Sequence, residues 1–247
     1  MDNVGSVRTP FMFVPARRAT FSCGESVIFG GVGDGLSVRE RYERSWLTRS
    51  ALGVNRLYTR VYHRVKVSGR CVVPGRGAAI VASNHISGLD PLLLQSACPR
   101  LIRWMMAREY YDVPGLRRGL DAIGAIPVDR SGRDLAATRA ALRALEDGCV
   151  VGVFPEGRIA TRKELLPFQM GIGLLAMKSG AAVYPAYVRG TQYDKEMSEA
   201  LFEPQNTTVA FGSAVDFAGL DRGGKLSEVY VEATRRIEAA VRELGEF

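Results

Sequence analysis

The chain is poor in the residues that bind metal or cross-link a fold. It has only two histidines, His63 and His85, and four cysteines in 247 residues. Cys23, Cys71, Cys98 and Cys149 are scattered, and none belongs to a CxxC pair. A structural zinc site needs clustered soft ligands, and a disulfide scaffold needs dense, regularly spaced cysteines. Neither pattern is present, so free thiols in a reducing compartment and no bound metal are expected. Long apolar runs are missing too: no uncharged stretch reaches the roughly 18 residues that cross a bilayer. The first 35 residues lack a basic start followed by an apolar core, so no secretory leader is expected. There is no internal repeat.

What remains is an ordinary globular composition, 47% hydrophobic and 24% charged. It excludes disorder as a description of the whole. The length suits one α/β domain with a short appendage. The formal net charge of +7 favours anionic partners. Phospholipid headgroups, phosphorylated substrates, an acidic carrier protein and nucleic acid all qualify, and composition does not choose among them.

Three stretches follow one another. Residues 1–35 are irregular and end in a glycine-rich run, which reads as a loosely ordered lead-in. Residues 36–64 mix Trp46, Leu47, Val54, Leu57, Val61 and Tyr62 with many arginines. Ser37 with Glu40 matches a capping box, and Gly53 is a point where the segment can break into two helices. A basic amphipathic element of this kind suits a membrane interface; the plainer reading is a helix packed on the core with a solvated arginine face.

From residue 65 to 247 strands and helices alternate. Strands are expected at Val65–Val67, Ala78–Ala82, Ala125–Val128, Val150–Phe154, Val183–Val188 and Thr208–Phe211. Helices are expected from Pro91, with Asp90 as N-cap, and at Asp134–Glu146, Ile172–Lys178 and Leu226–Leu244. Leu135, Leu142 and Leu145 mark the inner face of the second, and Leu226 heads that of the last. Alternation of this kind predicts an α/β layered fold with a largely parallel sheet flanked by helices.

The run Ala78–Ala82 leads into Ser83-Asn84-His85-Ile86-Ser87-Gly88-Leu89-Asp90-Pro91. A histidine at a strand's carboxyl end lies where α/β sheets bind ligands. An aspartate five residues later can hold one imidazole nitrogen and fix the tautomer, leaving the other to take a proton. Gly88 gives the loop freedom to bring the two together. Taken alone, the spacing favours the plainer reading, an aspartate that merely caps a helix after a loop histidine. Arg130 and Arg158 each follow a strand, where a guanidinium can hold phosphate. Glu156 can orient an arginine, bond a substrate hydroxyl or form a structural ion pair. Gly157 allows close backbone approach or a simple turn. Pro185 is expected to shape a sheet edge, and Arg103, Arg117 and Arg118 to be solvated surface charge.

Asn84–Asp90 matches N-H-x-S-x-x-D, and Gly124–Arg130 matches G-x-I-x-V-x-R. Phe154-Pro155-Glu156-Gly157-Arg158 matches F-P-E-G with a basic residue, and Val183-Tyr184-Pro185-Ala186 is an apolar strand with a central proline. Four motifs in this order resemble the glycerolipid acyltransferase superfamily, the lysophosphatidic acid and glycerol-3-phosphate acyltransferases. The resemblance spans about residues 65–217. It implies an O-acyltransferase in phospholipid biosynthesis that moves a fatty acyl group from acyl-CoA or acyl-carrier protein to lysophosphatidic acid. His85 would be general base, Asp90 its partner, and Arg130, Arg158 and Arg108 the phosphate holders, with Glu156 and Gly157 also facing substrate. It implies no cofactor beyond the thioester co-substrate. Its partners would be a membrane surface with anionic phospholipid, met peripherally or monotopically from the cytoplasmic side, a lysophospholipid acceptor and an acyl-carrier protein as one candidate donor.

Two departures bear on the acceptor. Relatives often carry lysine in an A-K-x-E-L stretch, where this chain has Ala107-Arg108-Glu109-Tyr110. They often carry F-K-x-G, where it has Phe168-Gln169-Met170-Gly171. A lyso-aminolipid or another lysolipid acceptor is therefore an alternative. So is a non-enzymatic basic membrane-binding module, which the joint presence of His85 and Asp90 disfavours. Nucleic acid is not expected, because no reader motif occurs.

Overall fold

The computed structural model describes residues 45–129, 134–162, 164–220 and 225–246. In chain order its elements are α1 (Trp46–Val61), β1 (Lys66–Ser68), β2 (Ala79–Ser83), α2 (Asp90–Ala97) and β3 (Ile102–Ala107). Then come a 3-10 turn (Arg108–Asp112), α3 (Leu116–Ala122), β4 (Ile126–Val128), α4 (Leu135–Glu146), β5 (Val150–Val153) and α5 (Gly171–Ser179). The last are β6 (Ala182–Arg189), α6 (Met197–Ala200), β7 (Thr208–Phe211) and α7 (Leu226–Leu244). The strands form one seven-stranded sheet in the order β1-β7-β6-β2-β5-β3-β4. Every neighbouring pair is parallel except β6 with β7.

Continuous apolar runs make the central strands because both faces of the sheet are covered. Strand β2 shows the two-residue period directly. Ala79 and Val81 pack with Leu93, Leu94 and Trp104 on one face, while Ile80 and Ala82 pack with Ile172, Leu175 and Ile237 on the other. Helix α5 runs close enough to α7 that a Cβ at Gly173 would lie 2.1 Å from the Tyr230 carbonyl oxygen. Gly180, at φ +65°, ends α5 in the left-handed conformation that a helix C-terminus favours.

The expected elements are present with bounds shifted by a residue or so, and the differences have physical reasons. Strand β3 and helix α3 were not legible. Arg103 interrupts the apolar run of β3, but its Nε donates to the Gly124 carbonyl at 2.8 Å, so it is half-buried rather than solvated. Leu135 is exposed, and the inner face of α4 is built from Ala137, Ala141, Ala144 and Leu145. Leu226 is exposed as well. Pro185 lies in an interior strand, not at an edge. Its carbonyl accepts from Gly212, just past the end of the β6–β7 pairing, so its missing N–H falls where the ladder has stopped.

Helix α1 passes through Gly53 without a break, while Ser37 and Glu40, with the lead-in, lie outside the described residues. Its polarity is inverted. Thr48 and Thr59 are buried. The Asn55 side chain donates to the Leu92 carbonyl at 2.9 Å, and Arg56 Nε donates to that of Ser96 at 3.3 Å. Trp46, Leu47, Val54, Leu57 and Val61 face outward, each more than half exposed. A helix that only packed on a core would turn the other way.

Candidate active site

Strand β2 ends at Ser83, and Asn84 pins that exit to β6. Its Nδ2 donates to the Val188 carbonyl at 2.9 Å, and its Oδ1 accepts from Val188 N at 2.8 Å. Beyond it the chain turns, and His85 Nδ1 lies 3.0 Å from Asp90 Oδ2. The same carboxylate oxygen accepts from the backbone N–H groups of Ile86 at 2.8 Å and Ser87 at 2.9 Å. Asp90 is therefore not a helix cap: its side chain turns back over the loop that precedes it. It is fully buried, and its Oδ1 has no partner among the described residues. In a neutral imidazole that donates from Nδ1, Nε2 is the nitrogen left to accept a proton.

The backbone of His85 is held at both ends. Its N–H donates to Glu156 Oε1 at 2.7 Å, and its carbonyl accepts from Ala160 N at 2.7 Å. The imidazole stacks on Phe154 with centroids 4.0 Å apart, and Phe154 stacks on Trp104 at 4.8 Å. Trp104 fits because Gly152 carries no side chain; a Cβ there would lie 2.3 Å from the indole. The stack fixes the plane of the imidazole as Asp90 fixes its rotation.

Glu156 bonds peptide groups rather than an arginine among the described residues. It is buried, and its Oε2 accepts from Leu166 N at 3.0 Å, so both oxygens serve backbone groups. Burial, opposed by these hydrogen bonds, raises its pKa above the usual carboxylate value. Gly157 next to it has φ +74°, and a Cβ would lie 2.0 Å from Gln169 Nε2. It is thus a turn of required handedness with the Gln169 amide folded over it. Gly88 works differently from the expectation. Its φ is not positive, but a Cβ there would lie 2.3 Å from Met197 N, and its N–H donates to the Lys195 carbonyl at 2.8 Å. The glycine permits close backbone contact rather than a special conformation.

His85 and Gly157 line a cavity of about 190 Å³. Its wall is mainly apolar, with Met106, Val128, Phe154, Ile172 and Leu175 among its residues. It extends from the histidine past the ends of β3, β4 and β5 toward α5. Sequence reasoning assigned none of these apolar lining positions. The bare alternation of the Ile102–Ala107 strand was the available signal, and Arg103 obscured it. Of the expected phosphate holders, Arg158 follows Gly157 and Arg108 lies between Ala107 and Tyr110 of the cavity wall, both exposed. Arg108 also lies close enough to Asp134 to help lower that carboxyl's pKa, behind the stronger effect of backbone hydrogen bonds. Arg130 lies outside the described residues.

Comparison with known proteins gives concordant results. The sequence profile of a family described as Acyltransferase matches residues 64–189. The chain is 25% identical over 186 residues to a 1-acyl-sn-glycerol-3-phosphate acyltransferase of Bacillus subtilis, covering 74% of this chain and 90% of that one. It is 29% identical over 132 residues to a protein of the same name from Borreliella burgdorferi, covering 52% of each. In fold it resembles the crystal structure of the 1-acyl-sn-glycerophosphate (LPA) acyltransferase PlsC from Thermotoga maritima. The TM-score is 0.63 at 21% identity, over 84% of this chain and 86% of that one.

Proposed function

Because this chain belongs to the acyltransferase family, we propose that it moves a fatty acyl group from a thioester to the free hydroxyl of lysophosphatidic acid. One observation carries the mechanism: an imidazole tied by Nδ1 to a buried carboxylate at 3.0 Å, on the wall of a mainly apolar cavity. The acceptor hydroxyl attacks the thioester carbonyl as His85 Nε2 takes its proton. The C–S bond then breaks, and the imidazolium returns the proton to the departing thiolate. Asp90 holds the tautomer and stabilises the charged ring between the two steps. A thioester is already activated, so no acyl-enzyme intermediate is required. The apolar cavity takes the acyl chain, and Arg158, Arg130 and Arg108 hold the acceptor phosphate. Gly157 shapes the turn that presents Arg158, and Glu156 holds the histidine's backbone.

Acceptor and product both carry acyl chains, so the site works at a bilayer surface. No described helix is long and apolar enough to cross one. The outward apolar row of α1 with exposed Arg49, Arg60 and Arg64 supports peripheral or monotopic attachment to anionic lipid. The side of attachment is the cytoplasmic one, where acyl-CoA or acyl-carrier protein supplies the donor. A lyso-aminolipid acceptor is the second reading, motivated by Gln169 standing where relatives carry lysine.

The test is transfer from labelled acyl-CoA and acyl-carrier protein in parallel, against lysophosphatidic acid, a lyso-aminolipid and a neutral lysophospholipid. Labelled phosphatidic acid as the main product supports the reading. Preference for another acceptor replaces the substrate, and no transfer from either donor rejects the activity.

A further inference from the structure

The segment between β6 and β7, residues 190–207, touches the catalytic loop at one end and helix α1 at the other. At the first end it runs beside Ser87 through Lys195, and the Lys195 carbonyl takes the N–H of Gly88. Met197 lines the cavity, and Glu196 Oε2 accepts from the Tyr110 hydroxyl at 2.7 Å. At the other end, the Tyr58 hydroxyl donates to the Leu201 carbonyl, and the Tyr62 hydroxyl donates to the Phe202 carbonyl at 2.7 Å. Both tyrosines belong to the last turn of α1 or follow it directly.

Phe202 is the residue at that junction, and it is 78% exposed. Exposed large apolar side chains occur singly on any surface and need no account. This one is held against the end of a helix whose Val54, Leu57 and Val61 are also about two-thirds exposed. Three of the segment's four acidic residues are engaged: Glu199 and Glu203 each lie 3.5 Å from Lys195 Nζ, and Glu196 is on Tyr110, while Asp194 is exposed.

We infer that residues 190–207 form a second lipid-contacting element, which inserts Phe202 into the bilayer beside α1 and holds the cavity mouth against the lipid surface. The occupant is a lipid bilayer, and the inference rests on the membrane reading proposed for α1. Two insertion points on separate segments fix orientation where one allows rotation. Met197 and the Lys195 contact to Gly88 lie on the same short strap, so that orientation is transmitted to the mouth of the site. A lysolipid then reaches His85 from the membrane plane without leaving it.

The experiment uses the full chain with vesicles of phosphatidylglycerol and phosphatidylcholine in equal parts. Phe202→Trp is made in a Trp46→Phe background, where buried Trp104 supplies a constant signal. The expected result is a blue shift on vesicle binding and quenching by lipids brominated in the acyl chain. Phe202→Ser weakens vesicle affinity about tenfold, the scale for one large apolar side chain that no longer leaves water. It lowers turnover of a vesicle-embedded acceptor and leaves turnover of a short-chain acceptor, dispersed as monomers, unchanged. A vesicle-bound protein whose residue 202 reporter stays solvated and unquenched overturns the strap's role and leaves α1's intact. Failure of the unsubstituted chain to bind anionic vesicles overturns the membrane reading and the strap with it. Equal loss of turnover on both acceptors also overturns the inference, because Phe202 would then serve the fold and not the surface.

Discussion

Glu156 Oε1 and the peptide nitrogen of His85 meet at 2.7 Å, across 71 residues of sequence. The carboxylate's other oxygen takes Leu166 N, so one buried side chain joins the histidine loop to the loop that follows β5.

Glu156→Ala removes both acceptors and leaves two N–H groups in a water-poor place. A loss of about 1–3 kcal/mol in stability is expected. Turnover falls because the imidazole drifts, while KM for the acceptor changes little. Glu156→Gln restores part of both, since one acceptor oxygen remains. Melting curves with kcat and KM check this; a selective rise in acceptor KM with unchanged melting would instead make Glu156 a substrate ligand.

His85→Ala is expected to lower kcat by about 10²–10⁴-fold, the range for loss of a general base. Melting should shift little, since the side chain contributes mainly its stack on Phe154. Asp90→Asn keeps an oxygen for Ile86 and Ser87 but places an amide N–H₂ where Oδ1 is buried with no partner among the described residues. Both turnover and stability should drop. Near-normal turnover of His85→Ala would remove the mechanism.

Arg158→Ala, Arg130→Ala and Arg108→Ala should act mainly on acceptor KM. Each removes a guanidinium from the proposed phosphate site, and a charge-assisted hydrogen bond contributes about 1.5–3 kcal/mol, or roughly 10–100-fold. Steady-state kinetics with varied acceptor separate this from effects on kcat. Unchanged KM in all three would place the phosphate elsewhere.

His63 gives the protein an acid-sensitive joint. It is fully buried at the end of α1, and burial holds its pKa below the ordinary 6.5. Tyr58 donates to Leu201, so His63 Nε2 donates to Tyr58, and Nδ1 has no partner among the described residues. The folded state resists the proton that the unfolded state accepts. Stability contributed by the neutral ring is therefore lost as pH falls below about 6.5, until the folded-state pKa is passed. The melting temperature should drop between about pH 7.5 and about pH 5.5, and His63→Gln should shrink that drop. An identical pH dependence in the variant would exclude His63 as its source.

The layered α/β fold and the His85–Asp90 pair were legible because their signals are local. Short apolar runs mark buried strands, and six consecutive residues, His85 to Asp90, carry both members of the pair. The role of Glu156 was not legible, because nothing in F-P-E-G says that its carboxylate turns inward to peptide nitrogens. Phe154 and Trp104 escaped for the same reason: stacking joins residues from segments far apart in sequence. Helix α1 was read correctly as basic and amphipathic, yet its inward polar face needs the carbonyls of Leu92, Ser96 and Ala122 to explain it. Those partners also argue against deleting the segment as a clean test of attachment, since their hydrogen bonds would be lost with it.

The motif around His85 is contiguous, but its restraints come late in the chain. Asn84 waits for Val188, 104 residues on, and Gly88 waits for the Lys195 carbonyl. A nascent chain that has just emerged through Asp90 thus holds the chemical groups without their arrangement. Competence arrives when β6 and the strap have been synthesised and docked. During synthesis, α1 with its outward apolar row is made well before the restraints that position the histidine.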